Sequence, residues 1–436
     1  MEEMRETSGR DVLKREGGFL IFMMAFALVN VLRHFEEIIS EYNTTLFAMS
    51  YKYGFISRGM LGTIWLGLDE ILPINLMTYD SVYGFACIST VVLYIIIFAM
   101  YFVLLKNSRE KYLRNIRYLI AFFSIFTFSM FLTDEVFGRL DLWLYMLTFL
   151  MVILVLKDRG VWLVPILVGL CMCIHQGYVL TCANIIVVLM AYVALVSTGN
   201  KRKRYFIILG VTVLIMAVSF IYFEFFSHGA GKEIVDEVIT HAKALSPDGK
   251  SYNESIINHE ILGLDVYESE MEMHKLNWQE VPVFVVLFIP YIIIAGRFMR
   301  NLLRNDNAKA SKEADKSRVI HRFVAGIRGD KPALEMARWL MVLGGLAVVP
   351  QMLMKVDFGR YVYMTFSYYI VMAMCMLTLG DDKVYEAVEA GKAAVKRRTP
   401  FPLVVLIYPM FFMPLHDVII SGISWRVSTW VNFWMR

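Results

Sequence analysis

Charge is scarce in this chain, and what there is lies in blocks. Only 19% of the 436 residues are charged, whereas 58% are hydrophobic and the mean hydropathy is +0.56. That balance excludes an ordinary soluble globular protein. Cysteine is also sparse. Cys87, Cys171, Cys173, Cys182 and Cys375 all fall inside apolar runs, which excludes a disulfide framework and reads them as small packing residues. Cys171 and Cys173 are too close in sequence for a zinc knuckle. Walker loops, dinucleotide-binding glycine fingerprints, Gly-x-Ser-x-Gly elbows and His-Glu-x-x-His pairs are missing, so no nucleotide or soluble-hydrolase site is written in the chain. Without a basic–aromatic platform, nucleic acid is not an expected partner.

What the chain has instead is apolar runs of the length that crosses a bilayer. Eleven are expected: 18–34, 82–105, 118–133, 142–156, 161–174, 179–197, 205–226, 281–296, 337–354, 361–379 and 400–415. The runs at 118–133, 142–156 and 161–174 are short, so their helices must extend into neighbouring polar sequence. The first run lacks a small-residue cleavage pattern and is expected to remain as a span. Most of the 43 lysines and arginines fall in alternate connecting segments that include the N-terminus. This predicts a cytoplasmic N-terminus and an outward C-terminus. The expected fold is therefore an all-α polytopic membrane protein, with residues 1–436 forming a single transmembrane domain. Within it lie an outer loop with interfacial helices at 35–81, a large outer loop at 227–280 and a basic cytoplasmic loop at 297–336.

On that topology the chemically distinctive residues gather at the outer face. Three arginines adjoin glycines at span edges: Arg58 before Gly59, Arg139 after Gly138, and Arg360 after Gly359. A guanidinium donates two parallel hydrogen bonds and stays charged, which suits phosphate, while glycine lets the backbone bend towards a ligand. These three are candidates for holding a phosphate or pyrophosphate. Each could equally pair with a nearby acid and pin a helix end. Asp357 lies three residues before Arg360, a natural helical pairing distance, whereas Arg58 has no acid within ten residues.

Carboxylates supply the candidate base. Asp134, Glu135 and Asp141 lie within eight residues, and crowding raises the proton affinity of such groups. Glu36 and Glu37 form a second acidic site after the first span. His175, beside Gln176 and Gly177, is a further candidate base or phosphate donor.

With its outer-face arginines, carboxylates and long outer loops, the chain resembles the polytopic glycosyltransferases that use polyprenyl-linked sugars. Two groups are similar: bacterial surface-polysaccharide polymerases of the Wzy and O-antigen ligase type, and the C-type glycosyltransferase superfamily. In the C-type pattern an aspartate usually occupies the first outer loop near the membrane, and here Glu36-Glu37 stand there. The polymerase-like resemblance implies Arg58, Arg139 and Arg360 on the lipid pyrophosphate, and Asp134, Glu135, Asp141 or His175 near the acceptor hydroxyl. Glu36, Glu37, Gln176 and Asp357 support them. It implies a polyprenyl-linked glycan donor and acceptor within the lipid bilayer of a bacterial cytoplasmic membrane, the site facing outward. No cofactor is expected, although the carboxylates leave room for a divalent cation. The rival readings are a secondary transporter, for which Gly344-Gly345 and Pro350 within one run speak, and a membrane acyltransferase built on Arg33-His34 or His175.

Overall fold

The computed structural model describes residues 9–34, 38–131, 137–227, 232–262, 281–304, 332–354 and 358–396. Among these every regular element is a helix and there is no strand. Six helices are long and apolar enough to cross a membrane, over Gly9–Leu32, Tyr79–Asn107, Leu140–Lys157, Gly199–Phe225, Pro332–Gln351 and Tyr361–Thr378. Two shorter apolar stretches, Val161–Ile174 and Ala183–Val196, accompany them. The protein is thus an all-α chain suited to a lipid bilayer. The expected eleventh run at 400–415 and most of the 297–336 loop lie outside the described residues.

The first helix, α1 (Gly9–His34), begins well before the apolar run that announced it. Then come two short helices, α2 (Glu41–Ala48) and α3 (Met60–Ile71), and the long α4 (Tyr79–Asn107). The next, α5 (Glu110–Met130), reaches back through Lys111, Arg114 and Arg117, the polar extension that its short apolar run required. It is followed by α6 (Leu140–Lys157), α7 (Val164–Ile174), the single turn α8 (Tyr178–Thr181), α9 (Ala183–Val196) and α10 (Gly199–Phe225). The pairs α4–α6, α6–α7, α7–α10 and α9–α10 pack against one another.

Helix α2 is not a surface element. Residues Asn43 to Ala48 are all buried. Phe47 meets Trp65 of α3, Phe85 of α4 and Trp143 of α6 with ring centroids 5.6–6.0 Å apart. Both indole N–H groups are satisfied, Trp65 on the Leu76 carbonyl at 3.0 Å and Trp143 on Ser89 Oγ at 3.2 Å. Such pairs contribute about 0.5–1.5 kcal/mol each beyond the area they bury. Helix α3 crosses the end of α2 so closely that a Cβ at Gly62 would stand 1.8 Å from the Met49 carbonyl oxygen, and only glycine fits. Its other side leaves Ile64, Leu68 and Ile71 exposed.

The 232–262 segment folds onto this core as α11 (Val235–Ala244) and α12 (Glu254–Glu260), both touching α2. Its apolar residues Val238, Ala242, Ile256, Ile257 and Ile261 are buried.

The remaining helices are α13 (Val281–Leu302), α14 (Pro332–Gly344), α15 (Val349–Met354), α16 (Phe358–Thr378) and α17 (Asp382–Lys396). Between α14 and α15 the chain tightens to a 3-10 turn over Gly345–Val348. Side chains occupy the carbonyls before this interruption. Tyr368 donates to Met341 O at 2.9 Å, Tyr369 to Val342 O at 2.7 Å and Asn184 to Gly344 O at 2.9 Å. At the start of α17, Asp381 accepts from Arg338 at 3.0 Å and Tyr192 at 3.1 Å while receiving the Lys383 and Val384 amides. One carboxylate therefore caps α17 and ties it to two other helices, α9 and α14.

Candidate anion site

The first turn of α2 and the loops entering α3 and α6 meet at one end of the bundle. Ser40 caps α2, its Oγ accepting the Asn43 amide at 3.4 Å. Asn43 Nδ2 donates to Phe137 O at 3.0 Å. Ile39 packs where a Cβ at Gly138 would come within 3.1 Å, and Gly138 adopts the left-handed φ of +75° that turns the chain into α6. These contacts fix the next residue, Arg139, the N-cap of α6, directly over Tyr42. The Arg139 guanidinium lies 5.2 Å from the Tyr42 ring centroid, and its Nε is 3.7 Å from Asp141 Oδ2.

Arg58 reaches the same tyrosine at its hydroxyl, donating from Nη1 to the phenol oxygen at 3.2 Å. Its Nε lies 3.3 Å from Glu260 Oε1 at the end of α12. Arg58 itself has φ of +61°, whereas Gly59 has an ordinary −78°. The bend therefore falls on the arginine and not on the adjacent glycine that the sequence offered for it. A non-glycine residue in this region is sparsely populated and is held there by its surroundings.

A second polar group adjoins the first through Ser57. Its Oγ donates to Gln176 Oε1, and its amide donates to Ser227 Oγ at 3.1 Å. The Gly177 amide donates to His175 Nδ1 at 3.1 Å. The same nitrogen also lies 3.0 Å from the Gln176 amide oxygen, an acceptor, so the ring can sit here as either tautomer. Nearby, Lys52 bonds Glu237 at 2.8 Å, and the Tyr53 hydroxyl lies 2.9 Å from His241 Nδ1. Burial pushes the Tyr53 phenol up, and the neighbouring Glu237 charge adds to the shift.

Arg58, Arg139 and Asp141 are thus brought together, with His175 and Gln176 beside them through Ser57. Glu36, Glu37, Asp134, Glu135 and Asp357 lie outside the described residues. Arg360 sits in the first turn of α16, with its side chain outside the described set. Sequence reasoning missed Tyr42 and Glu260. Tyr42 had a usable signal, since Ser40-Glu41-Tyr42-Asn43 is a capped helix start. Glu260 had none, because its partner is remote in sequence. The arrangement can offer guanidinium donors to an anion: one guanidinium lies over the Tyr42 ring and another donates to its hydroxyl, each with one carboxylate near it. No group of three or more metal-ligating side chains occurs among the described residues.

Comparison of the chain with protein-family models, curated proteins and solved structures finds no match.

Proposed function

We propose that this chain is a membrane glycosyltransferase that joins polyprenyl-(pyro)phosphate-linked sugars, or oligosaccharide repeat units, at the outer face of a bacterial cytoplasmic membrane. The reading uses eleven spans with a cytoplasmic N-terminus, so that the Arg58–Tyr42–Arg139 end faces outward. The observation that carries it is the convergence of Arg58 and Arg139 on Tyr42. Two cations gathered at the end of apolar helices suit a ligand whose charge is phosphate and whose anchor is hydrocarbon.

In the reaction, an acceptor hydroxyl oxygen attacks the donor's anomeric carbon, and the bond from that carbon to the phosphate oxygen breaks. Asp134 or Glu135 takes the hydroxyl proton. Arg58, Arg139 and Arg360 hold the lipid (pyro)phosphate and stabilise the charge that grows on it as it leaves, the largest contribution in such transfers. Asp141, close to Arg139, orients that guanidinium, and His175 donates to the phosphate or the sugar. Glu36, Glu37, Gln176 and Asp357 have supporting roles.

The interrupted span at 345–348 is the one feature that speaks for a transporter, because transporters bind ions on exposed carbonyls of broken helices. Here Tyr368, Tyr369 and Asn184 already occupy the carbonyls of Met341, Val342 and Gly344, which supports a structural break.

The test supplies purified protein with polyprenyl-pyrophosphate oligosaccharides and polyprenyl-monophosphate sugars. Glycan extension that disappears in Arg139→Ala, Arg360→Ala and Glu135→Ala, with folding retained, supports the transferase. Extension from monophosphate donors alone assigns C-type chemistry. Absence of turnover across the donor panel sinks the proposal.

A further inference from the structure

Among the described residues, Tyr42 is the side chain that both arginines share. Its ring lies beneath Arg139, 5.2 Å from guanidinium to centroid, and its oxygen accepts from Arg58 at 3.2 Å. A phenol carries one donor in addition to its acceptor lone pairs. Accepting from Arg58 uses a lone pair and turns the phenol proton away from the guanidinium. Donation to the phenol oxygen polarises the O–H and strengthens what it can donate in turn. Tyr42 is half-buried, whereas the residues that follow it in α2 are fully buried, so its ring stands on a rigid support.

We infer that Tyr42 is a direct phosphate ligand, donating its hydroxyl proton in a hydrogen bond to a phosphate oxygen of the polyprenyl-linked substrate while its own oxygen holds Arg58. This rests on the phosphate reading proposed above and adds to it a neutral donor between two cations. An anion seated between Arg58 and Arg139 meets the phenol at the point where the two guanidiniums converge. The ring stacked under Arg139 and the oxygen bonded to Arg58 set the spacing of the three donors before any ligand arrives, which lowers the ordering that binding must impose.

The experiment measures binding of inorganic pyrophosphate and of a short-chain polyprenyl phosphate to the purified full-length protein by calorimetry. Tyr42→Phe keeps the ring under Arg139 and removes only the hydroxyl. A hydrogen bond to a charged group corresponds to a loss of roughly ten- to a hundred-fold in affinity. That loss is expected for Tyr42→Phe with the ligand-free melting temperature within a few degrees of wild type. Replacing Tyr42 with ring-fluorinated tyrosines, whose hydroxyls are stronger donors and weaker acceptors, is expected to raise affinity in order of phenol acidity. A tyrosine that merely supports Arg58 gives the opposite order or a flat one. Unchanged binding in Tyr42→Phe, alongside loss in Arg58→Lys, overturns the role of Tyr42 and leaves the phosphate site standing. Failure of the wild-type protein to bind either probe overturns both.

Discussion

Glu260 Oε1 lies 3.3 Å from Arg58 Nε, joining the end of α12 to the loop that enters α3. Both side chains are largely withdrawn from solvent, at 14% and 4% exposed. Removing one member of a buried ion pair leaves the other charged in a low-dielectric place, at a cost of about 3–5 kcal/mol when burial is complete. Glu260→Ala is expected to lower the melting temperature in detergent and to loosen α12. Arg58→Ala with Glu260→Ala should be less destabilising than the sum of the single changes, with a coupling of about 0.5–3 kcal/mol. Strict additivity in the double-mutant cycle would show that the two side chains do not support each other.

The same segment is held at a second, more exposed point. The hydrogen bond from Lys52 holds the Glu237 carboxyl below its ordinary value of 4.5, and the same bond raises Lys52 above 10.5. A depressed carboxyl contributes stability that is complete above its unfolded value and is lost as pH falls through the lower folded value. The excess amide-exchange protection of α11 in wild type over Lys52→Gln should therefore be constant well above the ordinary carboxyl value of 4.5 and be lost as pH falls below it through the lower folded value. An excess that persists into strong acid would show that the pair does not hold α11.

Much of the helical frame was legible because apolar runs are long and bilayer thickness sets their length. Tyr79–Asn107 and Gly199–Phe225 are examples, each a helix containing a run evident from hydropathy. Helix starts were less legible. The short run at 118–133 called for a polar extension, and α5 supplies it from Glu110, but hydropathy alone did not say where that extension begins. The 35–81 loop concealed a buried helix. Asn43, Thr44 and Thr45 are polar by type but fully enclosed, and Asn43 is bonded to Phe137 O. In the site, the glycine–arginine pairs drew attention to Arg58 and Arg139, which both contact Tyr42, while Glu260 stayed hidden because tertiary contact alone brings it in. Buried hydroxyl pairs such as Tyr363 with Thr127 and Tyr101 with Ser124 were also invisible, since tyrosine in an apolar run reads as another hydrophobic residue.

Gly62 tests how tightly the site depends on the α2–α3 crossing. A methyl group there would overlap the Met49 carbonyl at 1.8 Å and the Phe47 carbonyl at 2.6 Å, both backbone atoms that cannot step aside. Gly62→Ala is expected to destabilise the protein by about 1–3 kcal/mol or more, as overpacking does. Because α3 follows Arg58 directly, the same change should weaken phosphate binding. Gly67→Ala, on the same helix where an added Cβ meets nothing within 4 Å, is the control and should leave the melting temperature unchanged or slightly higher. Equal melting temperatures for the two variants would rule out the close crossing.

The interruption of the 332–354 span makes a prediction that also separates the two functional readings. Tyr369→Phe removes the 2.7 Å bond to Val342 O, and Asn184→Leu removes the 2.9 Å bond to Gly344 O. Each change strands a carbonyl where water is scarce, at a cost of about 1–3 kcal/mol. In a transferase whose chemistry lies at the Arg58–Arg139 end, both variants should melt earlier yet keep the wild-type affinity for polyprenyl phosphate. In a transporter that uses the broken helix, they should alter ion or substrate dependence of uptake into proteoliposomes before they alter stability. Measuring melting, phosphate binding and uptake on the same two variants decides whether this break is scaffold or binding site.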